Sequence, residues 1–132
     1  MRTAIATLIA ALLLGACAIG DPLVVPTAVG RPSHEVTRLV AGSESRMFPC
    51  WIESVSGTDG KALELGQRRP EVTLPPGSYH VKLYCTNNAG HVWHPEAQVN
   101  ARAGKRYQVN GYFIDDSITI WGMKMRVRVT EL

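Results

Sequence analysis

The chain has 132 residues, with 14 Lys+Arg against 11 Asp+Glu. That length suits one small domain, and so mild a positive balance argues against nucleic acid as a partner. No G-x-S-x-G elbow and no phosphate-cradling glycine loop is present, so the common serine-hydrolase and nucleotide-binding signatures are excluded.

Arg2 precedes an apolar run over residues 4–14, and the small residues Gly15 and Ala16 lead into Cys17. The run is well short of the roughly 20 residues that span a bilayer. A basic start, a short apolar run and small residues are the layout of a secretory signal. An ordinary cleaved signal would leave Cys17 as a stray thiol. The sequence Leu14-Gly15-Ala16-Cys17 resembles the lipobox of bacterial lipoproteins, in which leucine and two small residues precede the acylated cysteine. The resemblance implies a signal peptide over residues 1–16. It also implies a mature protein that begins at Cys17 and carries lipid there, palmitate included. Several acyl chains anchor stably where one does not. In two-membrane bacteria an aspartate after the cysteine commonly retains a lipoprotein at the inner membrane. Ala18 stands there, so the resemblance favours the periplasmic face of the outer membrane.

Residues 17–34 contain Pro22, Pro26 and Pro32, with Gly20 and Gly30 between. They show neither helical nor strand periodicity and read as an extended tether. Leu23-Val24-Val25 offers an alternative, docking as an edge strand. Residues 35–132 form the domain. In residues 36–40, Val36 and Val40 share a face. Residues 47–55 are a second candidate strand, interrupted by Pro49. Gly57-Thr58-Asp59-Gly60 is a turn, and residues 61–65 follow with Leu63 and Leu65 inward. Residues 71–74 are brief. Pro75-Pro76-Gly77 turns the chain into residues 78–86, the clearest alternation, with odd positions apolar. Asn87-Asn88-Ala89-Gly90 closes that strand. Residues 96–101 and the run Tyr107, Val109, Gly111, Phe113 alternate again. Residues 117–130 place Met123, Met125, Val127 and Val129 on one face and Lys124, Arg126, Arg128 and Thr130 on the other. This predicts a half-buried antiparallel strand. Seven or eight short strands with frequent turns predict an all-β fold, a small antiparallel β-sandwich, with a partly open barrel as the alternative.

With Cys17 assigned to lipid, Cys50 and Cys85 remain, and an exported protein with two such cysteines suggests one disulfide. Phe48, Cys50 and Ile52 share a face, as do Tyr79, Val81, Leu83 and Cys85. A bridge there would staple two core-facing strands; two separately buried thiols are the alternative. The stretches Val72-Thr73-Leu74-Pro75-Pro76-Gly77-Ser78-Tyr79-His80-Val81-Lys82-Leu83 and Ala103-Gly104-Lys105-Arg106-Tyr107-Gln108-Val109 resemble elements of PEGA-like and transthyretin-like sandwich domains of bacterial surface proteins. That resemblance implies a non-enzymatic sandwich and transfers no functional residue.

His91-Val92-Trp93-His94, with Glu96 nearby and His80 on the neighbouring strand, is the best metal-like cluster. On a strand, however, His91 and His94 point to opposite faces. Asp115-Asp116 reads as a solvated turn, since calcium wants further oxygen ligands at alternate positions. Lys124, Arg126 and Arg128 form a cationic stripe that would meet acidic headgroups or a protein partner, or would keep a terminal strand soluble. Trp51, Trp93 and Trp121 are core fillers or stacking platforms for glycan. These readings together describe a non-enzymatic envelope lipoprotein without cofactor. It would be anchored in the membrane through Cys17 and would bind or scaffold another envelope component, protein or glycan. The alternative is a periplasmic metal-binding module using His91 and His94.

Overall fold

The computed structural model describes residues 19–45, 47–114 and 124–132. Cys17 and the signal segment, Asp115, Asp116, Ser117, Trp121 and Met123 lie outside the described residues. The described chain forms strands β1 (Leu23–Val24), β2 (Thr37–Ser43), β3 (Cys50–Gly57), β4 (Glu71–Leu74), β5 (Gly77–Thr86), β6 (Val92–Trp93), β7 (Glu96–Ala101), β8 (Arg106–Ile114) and β9 (Lys124–Glu131), with 3-10 turns at Pro26–Ala28 and Ser33–Glu35. One sheet has the order β1-β4-β2-β8-β9. The other has β3-β5-β6, with β7 also pairing β5. The fold is therefore all-β, and one buried cluster joins the inner faces of both sheets: Leu39, Val72, Leu74 and Val109 from the first, Ile52, Val55, Val81, Leu83 and Val99 from the second.

The alternating segments fold as their period dictates. In β5, Val81, Leu83 and Cys85 are buried between half-exposed neighbours. In β9 the face carrying Met125, Val127 and Val129 packs on the core while Lys124, Arg126 and Arg128 are exposed. The turn at residues 57–60 is closed by the Gly60 N–H donating to the Gly57 carbonyl, with Gly60 at φ 77°.

Several expectations are corrected. Not all pairing is antiparallel: β1 runs parallel to β4, and β2 parallel to β8. A parallel pair needs a long crossover, and here the entire second sheet lies between β2 and β8 in sequence. Residues 61–65 form no strand. They keep a single bridge, Ser56 to Ala62, although Leu65 is buried. In β2 the buried residues are Thr37 and Leu39, and Arg38 is exposed. The guanidinium must face water, and the Thr37 hydroxyl can face inward because it donates to the Lys105 carbonyl at 3.1 Å. The segment read as a tether is in part docked on the domain. Leu23 and Val24 register against Val72 and Thr73, and Val25 and Ala28 are buried. Arg69 holds that segment, donating through Nη1 to the Asp21 carbonyl and through Nε to the Leu65 carbonyl.

Candidate functional site

Cys50 and Cys85 are directly opposite each other in the β3–β5 ladder and are joined by a disulfide. The Thr86 N–H donates to the Pro49 carbonyl, which makes the cysteines a non-hydrogen-bonded pair, the closer of the two antiparallel spacings. The bridge thus ties neighbouring strands of one sheet. It packs against Gly111 of the facing sheet, where an added Cβ would come within 2.8 Å of Cys50 Sγ and 3.0 Å of Cys85 Sγ. Phe48, Trp93 and Phe113 close this end as a mutually T-shaped trio, with centroids 4.5 to 5.5 Å apart. Trp93 is therefore a core filler.

The outward face of the same strands has a different character. Residues between the buried positions of β3 and β5 must point outward, which places Trp51 opposite Tyr84. Trp51 and Tyr84 lie 6.4 Å apart between centroids, and Tyr84 meets the His94 ring edge-on at 5.7 Å. The Arg68 guanidinium stacks over Tyr84 at 3.5 Å. A register shift between Ile52 and Ser54 turns both Ile52 and Val55 inward and re-aims Glu53, as bulges do. The Glu53 Oε2 then reaches His94 Nδ1 at 2.8 Å. Further along, Glu96 lies 3.5 Å from His80 and 3.6 Å from Lys82. The result is a half-exposed aromatic row rimmed by charged and hydrogen-bonding groups. That is a surface for stacking on a flat ligand face and hydrogen bonding at its edges. A carboxylate-oriented imidazole is one part of a catalytic set, but among the described residues no hydroxyl or thiol is hydrogen-bonded to His94.

The three histidines singled out in the sequence are not brought together. His80 pairs with Glu96 and His94 with Glu53. His91 stacks on Trp93 at 6.1 Å and engages Asn87, whose Oδ1 accepts from the His91 backbone N–H. Among the described residues no group of three His, Cys, Asp or Glu is placed to hold a metal ion.

The stripe on β9 is partly spent. Arg128 donates to Glu44 Oε1 at 2.7 Å and lies over the Tyr112 ring at 4.5 Å. A denser basic feature lies at the far end of that sheet. There a cavity of 630 Å³ is lined by Arg31, His34, Arg38, Lys105, Arg106 and Thr73, among others. It draws on three separate stretches of the chain, so no run of basic residues announced it. Beside it, Arg102 Nη2 lies 2.7 and 2.6 Å from the two Glu131 oxygens. This hydrogen bonding, reinforced by the charges of Arg102 and Lys105 and opposed by desolvation, holds the Glu131 carboxyl below the usual carboxylate range.

No family model, curated protein or solved structure matches this chain.

Proposed function

We propose that this protein is a non-enzymatic, lipid-anchored envelope protein whose sandwich binds or scaffolds another envelope component, protein or glycan, through the outer face of β3, β5 and β6. The observation that carries the reading is the Trp51–Tyr84–His94 row with Arg68 stacked upon it. Aromatic and arginine side chains are enriched at the energetic centres of protein interfaces, and aromatic faces also stack on sugar rings. The lipobox-like run ending at Cys17 supports anchoring, by resemblance, at the periplasmic face of the outer membrane. The Cys50–Cys85 bridge supports export, because disulfides persist in oxidising compartments. The resemblance to PEGA-like surface domains agrees with a binding role.

Two experiments test this reading. Cys17→Ser should leave an unprocessed or mislocalised precursor; normal processing and membrane retention would overturn the anchor. A photo-crosslinker placed at Trp51 in cells should trap a recurrent envelope component, and Tyr84→Ala should abolish the adduct. Failure to trap any envelope component from that face, while the protein is folded and exported, would overturn the binding role.

A further inference from the structure

We propose that the cavity between β2, β8 and the two 3-10 turns is a binding site for a phosphate-bearing anion. Arg38 and Arg106 are registered directly opposite each other in the parallel β2–β8 ladder. Like charges so placed repel and cost stability. Among the described residues the one carboxylate near both is Glu71, at 4.0 Å from each guanidinium, the outer limit of an ion pair. Among the described residues, neither side chain donates a hydrogen bond, and both remain about half exposed. Lys105 joins them and reaches Glu131 only at 3.7 Å, a carboxylate already engaged by Arg102. Arg31 and His34 close the opposite wall; His34 Nε2 lies 3.8 Å from Glu35 Oε1, and among the described residues the cavity lining itself contains no Asp or Glu.

The ladder therefore holds charges together that an anion would reconcile. Two adjacent guanidiniums and an ammonium present more donors than a single carboxylate can accept. A phosphate offers more oxygens in a geometry that the planar fork fits. Thr73 and Ser33 on the lining add hydroxyl groups. A volume of 630 Å³ lies within the range of small-ligand sites and accommodates the phosphate together with the group that carries it. One rim is the segment from Val24 to His34, which follows Cys17 closely in sequence. A phosphorylated lipid headgroup and a soluble phosphate ester share the required chemistry.

The test uses the full chain carrying Cys17→Ser, so that acylation contributes nothing and failure of the anchor reading leaves this experiment intact. Titration with inorganic pyrophosphate, followed by amide NMR, should give saturable shifts centred on Arg31, Arg38, Gly104 and Lys105. Arg38→Gln with Arg106→Gln should weaken the affinity about tenfold or more, as expected for lost charge-assisted hydrogen bonds. The same pair should leave thermal stability unchanged or raised, because it removes a repulsion. Lys124→Gln with Arg126→Gln should leave binding unchanged. In a second arm, the chain is sedimented with phosphatidylcholine vesicles with or without phosphatidylglycerol. Retention by the anionic vesicles that depends on Arg38 and Arg106 and is displaced by pyrophosphate identifies a headgroup; saturable pyrophosphate binding without retention identifies a soluble phosphate. No saturable response to either probe, or equal loss in both double variants, would overturn the site.

Discussion

The two ends of the sandwich core are closed by different physics. At one end the Cys50–Cys85 bridge lies against Gly111, and Phe48, Trp93 and Phe113 fill the remaining space. At the other end, hydroxyl groups make hydrogen bonds with the backbone. Thr37 donates to the Lys105 carbonyl, Tyr79 donates to the Pro75 carbonyl at 2.6 Å, and the Tyr107 oxygen accepts from the Arg102 N–H at 2.9 Å. The first end is held by volume and covalency, so it resists pH and tolerates no added atoms. The second is held by directed polar contacts, so it is sensitive to loss of a single oxygen and to alkali. The basic cavity lies at the second end, where polar closure leaves cations at the surface.

The largest expected break falls at the covalent end. Replacing both Cys50 and Cys85 by alanine should cost about 4 kcal/mol in the chain-entropy model for a bridge spanning a sequence separation of 35. Chemical denaturation of the variant and of the oxidised protein measures this directly; equal midpoints would show that the bridge contributes nothing. Next comes Gly111→Ala, whose Cβ would press on both sulfurs and on Met125 Sδ. Overpacking of this kind costs about 1–3 kcal/mol. In the background lacking both cysteines the cost should shrink, and the double-mutant cycle reports the coupling. An undiminished cost would place the strain elsewhere.

The polar end should break more gently. Tyr79→Phe should cost about 1 kcal/mol, the net worth of one hydrogen bond. It should also alter the alkaline limb. Burial raises the Tyr79 phenol above its ordinary 10.0, so the folded chain holds this proton longer than the unfolded chain does. The associated stability is complete below pH 10 and is lost as pH rises through the folded value. Thermal melts above that pH should fall less steeply in Tyr79→Phe than in the parent. The smallest effect belongs to Glu131→Gln at the same end. Because the Glu131 carboxyl is held below its ordinary 4.5, its contribution is present above that pH and is lost as pH falls through the lowered folded value. The variant should therefore show a slightly flatter acid limb, and salt should erase the difference because the pair is exposed.

Parts of the candidate surface were legible before folding. Trp51 and His94 stood out as residue types, and the alternation in residues 78–86 places Tyr84 opposite the buried cysteine face. Arg68 and Glu53 were not legible. Arg68 arrives through an irregular segment bridged to Ile19, beside Arg69, which pairs with Ile52. Glu53 reaches His94 only because of the bulge in β3, which depends on how the strand meets β5.

Local periodicity by itself determined the all-β class, the faces of β5, β8 and β9, and the turns at Gly60, Gly77 and Gly90. Period-two alternation and backbone freedom are properties of neighbouring residues. It also put both cysteines on apolar faces. Tertiary structure alone decided which strands became neighbours. The parallel pairing of β2 with β8 sets Arg38 beside Arg106 across 68 residues of chain, the parallel docking of Leu23–Val24 on β4 builds the cavity rim, and the inward parity of β2 rests on a carbonyl from Lys105. Each of these depends on a partner distant in sequence, whose position follows from burying both sheets in one core and from no local pattern.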